Sequence, residues 1–525
     1  MLIIIRMIKA KSMSLTMEFA NHINHFLVTP LVITLIIGFV WMVTILKRYL
    51  LNRTIRTNNL LSRSFTSPPV VPGLPIIGNL RQLKNKKIHQ ILANWAEIYG
   101  PIYSIKVGAF TIVILNSTDV VKEAIATKFS SISKRKLTNA MQTLATDIII
   151  TSDTNEFHKM ARRHIVSSVL GAGAQRRHRE HRDTMMDNIV RNLQAHAKEN
   201  PLKPVNFRLI FQNEMFSLTL KQALGMDAVG SSKYIEGLGE TLSRDEILKV
   251  LVLDPLSGGT EVEWRDYFPY LRWLPNKSFE LDIGRMVTRR LEVMKTLIEE
   301  QQKRISSGEG INCHLDWLMS EGKTLTKTQI SMLIWETILV GSETTLQTAE
   351  WAMYKLAKHP TYQDHLFYEI QKVCGNNKCT EEQFSEVTYL SAVFHETLRR
   401  YPPIPIGSLR NVHQDTRLGG YDIPAGTQVA VNFYGCNMNK KQWDSPEQWK
   451  PKRFLDSNHD LRDLYKTMSF GGGKRVCPGA LQGRSVTCIA IARCIQEFKW
   501  SLELGRQEED ITPELHPLLA IITPR

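Results

Sequence analysis

Ten residues near the C-terminal end restrict this chain more than any other stretch: Phe470-Gly471-Gly472-Gly473-Lys474-Arg475-Val476-Cys477-Pro478-Gly479. Glycines admit positive φ and let a backbone come close to a flat ligand. The segment that follows has helical spacing, so the cysteine stands at a helix entrance. Loop amides and a helix N-terminus favour a thiolate over a thiol. Arg475 lies two residues from the sulfur, within reach of a ligand carboxylate. Phe470 can pack on the sulfur side of such a ligand, with Gly473 and Gly479 keeping the loop open. The bland alternative is a glycine loop holding a passive buried thiol.

The remaining cysteines favour no disulfide framework. Seven cysteines in 525 residues is an odd, sparse set. Cys313, Cys374, Cys379, Cys436, Cys488 and Cys494 read as free buried thiols of a reducing compartment. Cys374 and Cys379 lack further partners at zinc spacing. The net charge of +15 fits nucleic acid, an anionic membrane or an acidic protein. No zinc-finger or RNA-binding signature accompanies it, which sets nucleic acid aside.

Four segments are expected. Residues 1–25 form an N-terminal extension, apolar and basic but too short to span, with Met13 and Met17 as alternative starts. Residues 26–46 are uncharged and mostly apolar over 21 positions. At about 1.5 Å per residue they match a bilayer core, which predicts a single N-terminal transmembrane helix. Lys47, Arg48, Arg53, Arg56 and Arg63 follow, and the positive-inside rule puts the rest in the cytosol. Residues 47–78 are a basic, proline-rich hinge, with four prolines between Pro68 and Pro75. Residues 79–525 form one large folded domain. Helical spacing covers Arg289–Ser306, Met332–Ala357, Thr380–Arg400 and Cys477–Trp500. Short β-branched runs, Pro101–Val107, Phe110–Leu115 and Thr427–Val431, predict small sheets.

Within the longest helix lies Val340-Gly341-Ser342-Glu343-Thr344-Thr345. Gly341 leaves room for a ligand, and an interior threonine bonds back to the preceding turn and disturbs the helix. Glu343 and Thr344 can then relay protons. Glu396-Thr397-Leu398-Arg399 sets two opposite charges one helical turn apart. Pro451-Lys452-Arg453-Phe454 supplies a further cation. Glu156-Phe157-His158-Lys159-Met160-Ala161-Arg162-Arg163 is a basic stretch of helical spacing, and Arg410 follows the proline-rich Tyr401–Pro405.

In this order, from about Val71 to the C-terminus, these motifs resemble the cytochrome P450 family. The ten-residue loop matches its F-x-x-G-x-R-x-C-x-G signature at every fixed position. The resemblance implies a mainly α fold with small β-sheets, a haem lying between a long central helix and the cysteine-ligand loop. It implies haem b with iron ligated by Cys477. It implies contacts from Phe470, Gly473, Arg475, Gly479, Arg410, Arg162, His158 and Gly341. Glu343 and Thr344 would be catalytic, and Glu396, Arg399 and Arg453 a buried structural trio. NADPH–cytochrome P450 reductase and dioxygen would be the partners, with Lys440, Lys441, Lys466 and Lys474 as a basic rim for the acidic flavoprotein. Four positions depart from the pattern: Val340 for a small residue, His158 for tryptophan, Lys159 for arginine, and Lys452 for glutamate.

Further stretches narrow the resemblance. Trp95–Ser104, Val113–Thr118, Phe129–Leu137, Val262–Leu271, Pro275–Glu280, Tyr434–Met438 and Lys466–Met468 are similar to the plant branch of the family that oxidises ent-kaurene. That implies a small hydrophobic diterpene substrate, whose methyl group is oxidised three times to a gibberellin precursor acid. It also implies an endoplasmic reticulum membrane, with the plastid outer envelope as alternative. Two departures face the substrate, Gly341–Glu343 and Ile406–Leu409, where smaller and more polar residues stand. They leave open a divergent relative hydroxylating another diterpenoid. A haem-thiolate isomerase or dehydratase, or a non-catalytic membrane haem protein, are the readings from other classes. The Glu343–Thr344 pair favours the monooxygenase.

Overall fold

The structure, a computed structural model, describes residues 66–84, 87–308, 312–456, 465–502 and 517–525, with positions 38, 40, 41, 43, 44, 47, 460 and 463. The expected 1–25 extension and most of the expected span and hinge lie outside the described residues. Among the described residues no helix is long and apolar enough to cross a membrane.

Helices predominate over short strands, as the spacing predicts. The site is framed by α1 (Glu156–Ile165), α2 (Phe207–Leu224), α3 (Lys277–Ser306), α4 (Lys327–Lys358), α5 (Thr388–Arg400) and α6 (Ala480–Glu497). Their ends follow local chemistry. α4 starts before Met332 because Thr326 and Gln329 form a reciprocal capping box. α3 starts at Lys277, twelve residues before the expected Arg289, with Asn276 capping the Phe279 amide. α5 starts later than expected. Thr380 donates to the Gln383 side chain from both its amide and its hydroxyl, closing a turn instead. α6 begins only after Pro478-Gly479 and ends at Glu497. Beyond it Phe498–Leu502 buries Phe498 and Trp500 in alternation and pairs with Leu519–Pro524.

α4 joins two cores. Its first half, including Leu333, Ile334, Trp335 and Ile338, packs with Val293 and Leu297 of α3. Its second half, including Leu346, Ala349, Met353 and Leu356, packs with Val393 of α5 and Ile491 of α6. Each buried leucine, isoleucine, valine or methionine among them contributes roughly 1.5–3 kcal/mol. Residues 340–345 lie between the two, and that gap holds the candidate site.

A five-stranded sheet stands beside the helices, in the order β1 (Ile102–Val107), β2 (Phe110–Leu115), β5 (Gln428–Val431), β4 (Arg410–Asn411), β3 (Lys134–Arg135). β5 runs parallel to β2, and the other neighbours are antiparallel. The β3–β4 register puts Arg135 opposite Arg410.

Candidate active site

Between residues 340–345 and the 470–479 loop lies a cavity of about 310 Å³, lined by Cys477, Phe470, Gly471, Gly472, Gly479 and Arg475 on one side. The loop has its shape because glycine occupies the positions where φ is positive, Gly471 at +70° and Gly473 at +61°. A Cβ on Gly473 would sit 2.2 Å from the Ile125 carbonyl oxygen. Gly473 is exposed and does not line the cavity, so it shapes the loop rather than touching a ligand. The Cys477 amide donates to the Phe470 carbonyl at 2.9 Å and closes the turn. Burial pushes the Cys477 thiol up, while the Gly479 amide and the Arg162 guanidinium pull it down. The other six cysteines are free, and all are buried.

Across the cavity, α4 presents Glu336, Thr337, Val340, Gly341, Thr344, Thr345 and Thr348. The spacing is that of one helix face. Thr344, Thr345 and Thr348 bond back to the carbonyls of Val340, Gly341 and Thr344 at 3.4, 3.2 and 2.9 Å. The expected disturbance of the helix does not follow, and α4 runs unbroken from Lys327 to Lys358. Gly341 serves the approach of two helices as well as the cavity, since a Cβ there would meet the Thr219 methyl of α2 at 3.1 Å. Glu343 is not on the cavity face. It accepts from Gln212 at 2.6 Å and from Arg208 at 3.3 Å, both on α2, and Arg208 also pairs with Glu350. Thr344 lines the cavity, whereas the Glu343 carboxylate is turned to α2 and held there by Arg208 and Gln212.

At the cavity edge five cationic or potentially cationic groups converge: Arg135, His158, Arg162, Arg410 and Arg475. Arg475 donates to the Ser152 carbonyl at 2.6 Å and to the Thr154 hydroxyl at 3.0 Å. Buried atoms of three of the others stand without partners: Arg410 Nη1, Arg135 Nε and His158 Nδ1. Burial first, and then neighbouring arginines, push Arg135 down to about 9, Arg410 down to about 10 and His158 down to about 4. Two arginines facing each other across a strand pair repel. An unpaired buried donor costs roughly 1–3 kcal/mol. Carboxylates at this edge would give the unpartnered donors an acceptor, so the donor set fits the carboxylates of a haem, with Cys477 lining the same cavity. Arg135 was not among the expected contacts. Its only trace in the sequence is the basic run Lys134-Arg135-Lys136, and the β3–β4 register brings it here. Exchange of Arg410 for leucine should lower haem retained per polypeptide after gel filtration severalfold. Unchanged haem content would remove the carboxylate-clamp assignment.

Glu396 and Arg399 are both fully buried and paired at 2.7 and 2.8 Å, with Arg453 3.2 Å from the same carboxylate. The Lys450 amide also donates to Glu396 at 2.7 Å. The trio anchors the 437–453 segment behind the cysteine loop.

Of the Ile406–Leu409 wall, Gly407 and Ser408 line the cavity. Ile406 is buried in another cluster and Leu409 packs against it. Lys440, Lys441, Lys466 and Lys474 are exposed. Glu336 is a lining residue that the motifs did not indicate. It is buried, and burial pushes its carboxyl up to about 7 against the pull of the Ile149 and Ile150 amides.

The Cytochrome P450 family model matches residues 68–524. An "Ent-kaurene oxidase" of Salvia miltiorrhiza is 53% identical over 473 residues, covering 88% of this chain and 91% of that protein. "Ent-kaurene oxidase 2" of Oryza sativa subsp. japonica is 50% identical, covering 87% and 92%. An "Ent-sandaracopimaradiene 3-hydroxylase" from the same rice is 46% identical, covering 87% and 91%. A solved zebra fish cytochrome P450 with abiraterone superposes with a TM-score of 0.65 at 22% identity, covering 83% of this chain and 99% of that one, which shows the fold.

Proposed function

This chain belongs to the cytochrome P450 family, and on that premise we propose that it is a membrane-anchored, NADPH- and dioxygen-dependent ent-kaurene oxidase. The single observation that carries the substrate is the 53% and 50% identity to two proteins so named, over nearly the whole of each. Haem b bound in the cavity would supply dioxygen cleavage and transfer of one oxygen atom to a C–H bond. Cys477 would hold its iron, and Arg135, Arg410, Arg475, Arg162 and His158 its carboxylates.

The protein's own residues do the rest. Ile149, Ile150, Val340, Ile404 and Val431 form a wall for a hydrocarbon. Thr344 is the hydroxyl nearest the middle of the α4 face and is the group placed to hand on a proton. Glu343 is held away from the cavity by Arg208 and Gln212, so the proton role falls to Thr344. Each cycle consumes one dioxygen and one NADPH. Three cycles take a methyl to alcohol, to aldehyde by loss of water, and to acid. Electrons come from NADPH–cytochrome P450 reductase, which the exposed lysine rim suits. An anchor at residues 26–46 would hold the domain on the cytosolic face of the endoplasmic reticulum or on the plastid outer envelope.

A second reading, hydroxylation of a related diterpene at another carbon, is favoured by the 46% identical rice relative and by the small Gly407–Ser408 wall. Microsomes holding this protein and a plant reductase, fed ent-kaurene with NADPH, should yield ent-kaurenoic acid through the alcohol and aldehyde. A single hydroxylated product, or conversion only of another diterpene, would move the assignment to the second reading. Turnover without NADPH or oxygen would sink both.

A further inference from the structure

Glu336 lies two turns before Thr344 on the same face of α4. It is the one carboxylate among the described residues that line the cavity. Both of its oxygens are engaged with a single neighbour. Oε2 accepts from the Ile149 amide at 2.8 Å and Oε1 from the Ile150 amide at 2.9 Å. The side chains of Ile149 and Ile150 line the cavity. They belong to a stretch, residues 145–155, with no helix or strand. It turns at Asp147, where φ is +53°, and folds on itself through the Ser152 hydroxyl and the Ile148 carbonyl at 2.6 Å. Its far end is held by Arg475, through Ser152 and Thr154. The wall is therefore tied to both elements that face each other across the cavity: to α4 by Glu336 and to the cysteine loop by Arg475.

We propose that Glu336 is a positioning residue for regioselectivity, whose carboxylate fixes the Ile149–Ile150 wall and so decides which carbon of a hydrocarbon substrate is presented for oxidation. The inference rests on the hydrocarbon-oxidase reading above. A hydrocarbon offers no polar handle, so its orientation comes from shape alone. Selecting one methyl among many needs walls held to within about 0.5 Å. An irregular loop does not hold itself that well unless its backbone groups are bound. Once ionised, at a pH above its raised value of about 7, the carboxyl suits the task because two lone-pair oxygens accept two successive N–H groups at once, and the variants are compared at such a pH. Glutamine of the same size has one oxygen and one NH₂, and the NH₂ meets an N–H with another donor.

The test compares full-length wild type with Glu336→Gln in reductase-containing microsomes, together with hydrogen exchange on the purified proteins. The thiolate-type carbon monoxide band serves as the integrity check. The glutamine variant should keep that band. Its 145–155 peptides should exchange about tenfold faster, as for loss of one charge-assisted hydrogen bond. Its products from ent-kaurene should spread over more than one position, with substrate affinity reduced more than total oxygenation. An unchanged product pattern with unchanged exchange overturns the proposal. If wild type does not convert ent-kaurene, the substrate reading falls by itself, and the exchange comparison still decides the role of Glu336. If Glu336→Gln loses the band, Glu336→Asp, which keeps the charge but reaches less far, replaces it in the same measurements.

Discussion

Replacing Cys477 by serine should abolish the thiolate-type carbon monoxide band and reduce turnover by a factor on the order of 10³ or more. The sulfur is the only one among the described cavity-lining residues. The other six cysteines are buried in the protein core, so none can take over as a ligand without rearrangement. A serine hydroxyl is almost the same size, and its oxygen does not ionise near neutral pH. The turn should survive, because it depends on the Cys477 amide, the Phe470 carbonyl and two glycines of positive φ. Far-ultraviolet circular dichroism of the variant should therefore match wild type while the band is missing. A retained band would mean that the iron sits on another sulfur, and the assignment of this cavity would fail.

The second large effect is on stability. Glu396→Ala would leave Arg399, fully buried, with no carboxylate partner and only the Asn437 and Gln448 carbonyls, the Met438 sulfur and the Trp443 ring around it, with Arg453 losing the same partner. Stranding one member of a buried ion pair costs about 3–5 kcal/mol. A whole domain is stable by only about 5–15 kcal/mol. The expected result is a sharp loss of folded, haem-containing protein, and a lower unfolding midpoint in whatever remains. Arg399→Lys should do nearly as much harm. A lysine keeps the charge but cannot make the two parallel bonds to Glu396 while reaching two carbonyls. A cost below about 1 kcal/mol would place the trio among ordinary solvated pairs.

Contiguity governs how much of this was legible in the sequence. The cysteine loop, the Glu396–Arg399 pair and the α4 stripe are each written within a few residues, and local spacing exposes them. Arg135 became a cavity residue only through its register with Arg410, a pairing between distant parts of the chain that no local pattern encodes. Glu343 was misplaced for a different reason. A motif names adjacent residues but not their distant partners, and here Arg208 and Gln212 of α2 hold Glu343 while Thr344 lines the cavity. Glu336 was missed because an acid in an apolar helix gives no sign of its partners, here two backbone amides of a loop. The start of α5 was missed because Thr380 has helix-compatible neighbours, yet its side chain prefers a turn.

The Gly407–Ser408 wall bears on how this cavity can change over generations. Gly407 is locked in place: its amide donates to the Val431 carbonyl at 2.9 Å, and a Cβ there would press on the Phe433 ring at 3.1 Å. Larger residues at that position must displace an aromatic ring beside the sheet. Ser408 lines the same cavity and already carries a side chain. Duplicated copies of this chain thus meet a packing obstacle at 407 on this wall, set by the Phe433 ring. New substrate preferences should arise by enlarging or shrinking residue 408 while 407 stays glycine, which makes that single codon the natural first target for directed evolution of the pocket.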